Sequence, residues 1–425
     1  MPFVFMIAYL VLVLIRPQEY PGWPFPTIPL LPLALACALL AWGFSRHKRF
    51  DAPQYPLVVL FLLATCLSVL VSGWPGGALQ QFNAFLATVV SFVLLANALD
   101  TPRKVVTTMA VFVLCASVLA LHGADQAATG LGWTGTGLVN DGRIQYVGIF
   151  SDPNDLGMLF VMSLPMAVYL GARGGLMGLR RLFWWGAGLL LVYGIYLTHS
   201  RGALVAVIAM AGVYVLVRRG PVLAGLLGVV ALVGLQLMPN RMSDIDVQEE
   251  SAAGRVDAWY EGMQMLIQHP LFGVGTDRFT EYHHLTAHNS YVLVLAENGV
   301  VGFTIWLAFV GYCFWMMYRL LRYQPEFPEG QEDLAWEWWT AQRVALTLLV
   351  SLTGFFTAAF FLSRSYVILL YLLAALVVAH FTVVRGQFPW VEPFSLRNNL
   401  LRWPVIAAAA TIGLYLMVKV LLAIG

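Results

Sequence analysis

The chain has 425 residues, of which 60% are hydrophobic and 11% charged, with a mean hydropathy of +0.77. Soluble globular proteins carry about 25% charged residues, so a water-soluble enzyme is excluded and an integral membrane protein is expected. The formal net charge of +2 says little, because the position of each charge matters more than the sum; membrane lipids are expected as partners and nucleic acid is not.

A helix needs roughly 20 apolar residues to cross a bilayer. Such runs are read near 2–16, 28–44, 56–73, 78–98, 104–122, 155–171, 182–198, 202–217, 221–238, 290–318, 342–362, 366–384 and 403–424. They predict an all-α polytopic bundle of 12–13 transmembrane helices, one domain over 1–425. The first run is short enough to lie at the interface instead. It ends at Arg16 and Pro17 without a small-residue cleavage site, so it reads as a retained span rather than a signal peptide. Cys37, Cys66, Cys115 and Cys313 all fall inside apolar runs and form no CxxC pair. Small buried hydrophobes are therefore expected, not a disulfide framework or a zinc site.

Charge between the runs sets the orientation. Arg46, Lys48 and Arg49 share one loop, and Arg103 and Lys104 another. Arg173, Arg180 and Arg181, then Arg218 and Arg219, then Arg319, Arg322 and Arg343, and finally Arg385, Arg397 and Arg402 fill the rest. All fall on one side if the spans alternate, and the positive-inside rule makes that side the cytoplasm. The remaining loops, with 239–289 the largest, then face the periplasm and carry Arg16, Arg143, Arg201, Arg241, Arg255, Arg278 and Arg364. An arginine forced deep into hydrocarbon costs about 2.5–3.5 kcal/mol, a cost that an anion on the outer face would offset.

The apolar stretch between Arg181 and Arg219 is too long for one crossing and must turn near Thr198–Gly202. By the same logic Ser363, Arg364 and Ser365 form the apex of a second hairpin. Each apex presents an arginine to the outer surface, where snorkelling to headgroup phosphates is the alternative to a functional role. The glycine-rich loop 123–154 ends in Asp152, Asn154 and Asp155, which sit where a helix N-cap belongs; capping accounts for them, and too few oxygens are present for a metal site.

From Ala252 to Gln268, Val256, Trp259, Tyr260, Met263, Leu266 and Ile267 recur at helical spacing, opposite Asp257, Glu261, Gln264 and Gln268. The pattern predicts a short amphipathic helix along the interface, with Arg255 in its first turn beside free N–H groups that favour a phosphate. His269 and Pro270 end it, and Gly273 and Gly275 make a turn where backbone can approach closely. His288 and Asn289 open a long span, inside which Glu297 is a functional candidate by its depth.

Four patches resemble the bacterial O-antigen ligase and O-antigen polymerase superfamily: GIFSDPNDLG at 148–157, THSRGAL at 198–204, GRVDAWYEGMQMLIQHPLFGVG at 254–275 and AHNSYVLVLAENGVVG at 287–302. They cover roughly the central third to half of the chain. The resemblance implies a periplasmic-face glycosyltransferase in the inner membrane whose donor is an undecaprenyl-diphosphate-linked glycan. Its acceptor is a sugar hydroxyl, on the lipid A core for a ligase or on a second lipid-linked glycan for a polymerase. It further implies Arg201 and Arg255 as the groups that neutralise the diphosphate and His288 as the group that orients or deprotonates the acceptor. Arg143, Arg278, Arg364, Asn154, Asn289 and Glu297 complete the expected substrate-binding set. The scheme requires no cofactor, nucleotide or metal. A flippase for lipid-linked oligosaccharide is the competing reading, but it should line a path across the membrane rather than cluster arginines at one face.

Overall fold

A computed structural model describes residues 1–24, 28–45, 48–139, 142–173, 178–237 and 252–424. Arg46, Arg241 and the 239–251 part of the large loop lie outside the described residues. The helices run in the order α1 (Pro2–Ile15), α2 (Leu30–Gly43), α3 (Gln54–Val71), α4 (Pro75–Ala98), α5 (Pro102–Thr129), α6 (Pro153–Gly171), α7 (Leu179–Leu197) and α8 (Arg201–Arg219). There follow α9 (Pro221–Leu237), α10 (Ala252–Gln268), α11 (Phe279–Tyr282), α12 (Ser290–Arg322), α13 (Glu332–Ala359), α14 (Ile368–Gln387) and α15 (Arg402–Ile424). The described residues contain no strand beyond isolated bridges in the 131–143 loop, so the protein is an all-α polytopic membrane protein.

Every expected span has a helix, and among the described residues ten helices are long and apolar enough to cross a membrane. The other three fall short for separate reasons. α2 has fourteen residues and α9 seventeen, and the nineteen residues of α7 include two arginines and two tryptophans. Two helices outrun their apolar runs. α5 continues to Thr129 and is closed by Gly130 in the left-handed region, while α13 starts at Glu332 in polar sequence. Starts are set by local chemistry: proline occupies the first helical position of α4, α5 and α6. Side chains of Asp152, Ser200 and Asn289 cap α6, α8 and α12.

The bundle closes around α14, whose residues are 83% buried and which packs against α4, α12 and α13. α8 and α15 lie at the edge, at 17% and 11% buried, and turn exposed apolar residues such as Leu204, Tyr214, Val405 and Leu416 outward as lipid-facing helices do. Loop contacts sort the helix ends into two faces. On one, Arg385 pairs with Asp51, Arg49 N–H donates to Asn97 Oδ1, and Arg319 meets Glu392. On the other, Arg278 donates to Ser72, Arg143 to Thr198, Arg364 to Asp155 and Thr286 to Ser363. The first set belongs to the loops expected on the basic face, the second to the loops expected opposite it.

α10 forms where the apolar spacing placed it, but its buried face is rotated from the expected one. Ala258, Trp259, Met263, Met265 and Leu266 face the bundle, against α12 and α15, whereas Ile267 is 57% exposed. α12 is broken inside the bundle at Gly299, which has φ 59°. The loop after α10 fills the break: Val274 N–H donates to Ala296 O and Gly275 N–H to Glu297 O, while Val300 N–H reaches Pro270 O and Val301 N–H reaches Leu271 O. Backbone groups freed by a kink at membrane depth need such partners, because hydrocarbon supplies none. A Cβ on Gly299 would fall 2.5 Å from the Leu271 carbonyl carbon, and one on Gly273 (φ 70°) would fall 2.3 Å from that of Glu297.

Candidate active site

At the face opposite the basic loops, a cavity of about 260 Å³ opens where α6, α8, α10, α13 and α15 converge. Arg143, Asn154, Arg201 and Arg255 all line it, together with His199, Ser200, Trp259, Phe361 and Leu362. Among the described residues, no carboxylate lines it. Each cation has a local reason to be there. The Thr198–Ser200 turn has His199 in the left-handed region (φ 47°), and Ser200 then caps α8 by accepting from Ala203 N–H at 3.3 Å. Arg201 is thereby the first residue of α8, at the positive end of its dipole. Asn154 is near the start of α6, and Arg255 is in the first turn of α10. Three helix amino-termini and three guanidinium groups thus converge on one hollow, a field built for an anion.

Arg143 comes from the glycine-rich loop. Its Nε donates to Thr198 O at 2.9 Å and its Nη2 to Asn154 Oδ1 at 2.8 Å, which fixes the guanidinium plane between the α7–α8 turn and the start of α6. Asp152 is the true cap of α6, accepting from Asn154 N–H at 2.7 Å. Capping therefore accounts for Asp152 alone. Asn154 faces the cavity, and Asp155 accepts two hydrogen bonds from Arg364. Burial works against the charge on Arg364, and the Asp155 carboxylate outweighs it, so the guanidinium is held more firmly protonated than usual. Arg364 is not on the cavity lining; it is committed to tying the α13–α14 turn to α6.

His288 is half-buried, has backbone in the left-handed region at φ 45°, and is not among the residues that line the cavity. Its neighbours are fixed on both sides. Ala287 O accepts from Trp259 Nε1 at 2.8 Å, and Trp259 is itself cavity wall. Asn289 is fully buried; its side-chain oxygen accepts from Tyr291 N–H at 2.9 Å and Val292 N–H at 3.1 Å. Thr286 donates to Ser363, and Ser290 exchanges hydrogen bonds with Leu362, Arg364 and Ser365. The 286–290 segment is thus laced to the 362–365 turn.

Two expected residues stand elsewhere. Arg278 binds Glu281 at 2.5 Å and Ser72 at 2.8 Å, at the α3 end of the same face. That pairing raises the guanidinium pKa and lowers that of the Glu281 carboxyl. Glu297 is buried beside the break in α12, accepting from Tyr366 OH at 2.9 Å and from Phe279 N–H at 3.3 Å. Tyr366 also accepts from Asn298, whose oxygen takes the Thr276 hydroxyl proton at 2.9 Å. This closed network anchors the loop that carries α10 to the rest of the bundle.

Trp259, Asp155 and Tyr366 were not among the expected site residues. Trp259 was read as one more apolar position of α10, and its indole N–H, which seeks a partner when buried, was the signal. For Asp155 the signal was an arginine-bearing hairpin with no acid of its own.

Residues 186–307 match a family described as O-Antigen ligase, and residues 1–174 match a family of unknown function. No curated protein matches the chain. The cavity is shared between the two matched regions, since Arg201, Arg255 and Trp259 come from one and Arg143 and Asn154 from the other.

Proposed function

We propose that this chain, which belongs to the O-antigen ligase and polymerase superfamily, transfers a glycan from an undecaprenyl-diphosphate carrier to a sugar hydroxyl at the periplasmic face. The match at residues 186–307 gives the coarse activity, a membrane glycosyltransferase of O-antigen ligase or polymerase type. The finer reading is supported above all by the cavity onto which three arginines and three helix amino-termini converge.

A diphosphate-linked sugar is already activated, so the enzyme must mainly stabilise charge on the leaving group and place the nucleophile. Arg201 and Arg255 hold the diphosphate, with Arg143 and Asn154 closing the hollow on the α6 side. The acceptor oxygen bonds to the anomeric carbon as the carbon–oxygen bond to the diphosphate breaks. The electron pair leaves on undecaprenyl diphosphate, and the hydroxyl proton passes to His288, an imidazole being a side chain suited to general-base work. No cofactor or metal takes part in this scheme. The acceptor is the lipid A core or a second lipid-linked glycan, and the inner membrane follows from the carrier.

The test is reconstitution from purified components. The lipid-linked donor is supplied with lipid A core in one arm and alone, as its own acceptor, in the other. Extension in the first arm makes the chain a ligase, and extension in the second a polymerase. Absence of product in both, with chelators and added divalent cations making no difference, would remove the transfer reading.

A further inference from the structure

Three of the five helices that line the anion cavity, α6, α8 and α13, also leave a groove toward their opposite ends. It has a volume of about 610 Å³ between α6, α8 and α13. Its wall is apolar along Leu164, Val168, Val207, Ala211 and Val350, and Arg218 and Arg343 stand at its end on the basic face, with no carboxylate in the lining. A second hollow of about 540 Å³ adjoins it, bringing in Arg103, Arg173 and Arg180 with Glu337 as its one acid. Tyr169 lines both hollows and is only 7% exposed. Its hydroxyl is buried without a hydrogen-bond partner among the described residues, a state that ordinarily costs free energy. Arg173 lies 5.6 Å from its ring centroid, and Arg343 is within electrostatic reach of the phenol.

Arginines that only obey the positive-inside rule need no groove and no orphaned hydroxyl. An apolar channel of hydrocarbon depth that ends in cations and an unused donor matches one chemistry, a phosphate ester carrying an acyl chain. We propose that the α6–α8–α13 groove holds one anionic phospholipid of the basic-face leaflet, with an acyl chain along Val168, Val207 and Val350. Its phosphate sits between Arg218 and Arg343, within reach of the Tyr169 hydroxyl. The site is separate from the transfer cavity, and its test does not depend on activity.

The full chain in detergent is offered phosphatidylglycerol and phosphatidylethanolamine of matched chains, and separately glycerol 3-phosphate, with occupancy read by native mass spectrometry. One phosphatidylglycerol is expected to survive activation that strips phosphatidylethanolamine, and glycerol 3-phosphate should not compete. Arg218→Gln with Arg343→Gln should weaken retention roughly tenfold or more, and Tyr169→Phe should weaken it without altering the fold. Ala211→Trp, at an exposed position on the groove wall, should block the acyl chain and abolish retention. Equal retention of the two lipids, or unchanged phosphatidylglycerol occupancy in the Ala211→Trp and double-glutamine proteins, would overturn the proposal. Competition by glycerol 3-phosphate would assign the arginines to a soluble phosphate ester and overturn the lipid.

Discussion

Arg201 begins a helix whose cap is Ser200 and lines the cavity, so a guanidinium and the amino-terminal N–H groups of that turn stand at one hollow. Lysine would keep the charge and lose the two parallel donors. Arg201→Lys is therefore expected to lower transfer by about a hundredfold, and Arg255→Ala by at least as much, the usual cost of removing one donor to a developing anion. Both are read as turnover of purified protein with lipid-linked donor, and near-normal rates for Arg201→Lys would reduce that residue to a headgroup anchor. His288→Ala should lower turnover by about 10²–10⁴-fold, as loss of a general base does, while donor binding measured without acceptor stays unchanged. Weakened donor binding would move His288 from the acceptor to the diphosphate. Much of this constellation was legible in sequence, because arginines placed against the positive-inside bias advertise themselves one by one. What the residues could not show is that Arg364 spends its charge on Asp155, and Arg278 on Glu281 and Ser72. Asp155 and Ser72 lie more than two hundred positions from the arginines they meet and leave no local trace, whereas Glu281 stands three residues from Arg278, a spacing that the sequence does show.

At the scale of elements, the break in α12 decides where α10 and His288 sit. Sequence spacing reads 290–318 as one apolar span with Glu297 as an intruder, since periodicity carries no information about which carbonyls lose their helical partners. The loop from His269 to Thr276 supplies those partners, and two glycines let the backbones meet. Gly299→Ala would put a Cβ at positive φ and drive it into the Leu271 backbone. It should therefore lower stability by about 1–3 kcal/mol, seen as a lower thermal transition in detergent, and should cost activity with the cavity residues intact. An unchanged transition would show that the break is not what holds the loop. The pair joining α6 to the α13–α14 turn offers a second test. Asp155→Ala leaves a half-buried guanidinium uncompensated and should cost on the order of 3 kcal/mol, with Arg364→Gln in the same chain restoring part of the loss. Absence of any rescue would mean that Asp155 acts other than through Arg364.

Over the whole molecule, thirteen apolar runs placed thirteen of the fifteen described α-helices near their observed positions, because hydropathy is additive along the chain, while α10 was read from its amphipathic spacing and α11 was not expected. Span count was less legible: α2, α7 and α9 are short or too polar to qualify by composition, and only neighbours decide how far such helices reach. The same additivity makes orientation testable as one quantity. Arg103, Arg173, Arg180, Arg218, Arg319 and Arg385 gather at one set of helix ends and the transfer cavity at the other, so inverting the protein would bring all of these arginines across the bilayer together. Trp133, half-exposed in the loop after α5, and Glu329, exposed between α12 and α13, mark the two faces. In intact cells a membrane-impermeant maleimide should modify a cysteine replacing Trp133 and spare one replacing Glu329 until the membrane is opened. The native cysteines lie within helices and serve as the unlabelled background. The reverse pattern would put the arginine cavity in the cytoplasm, where an acceptor exposed only to the periplasm could not reach it, and the transfer reading would fall with the orientation.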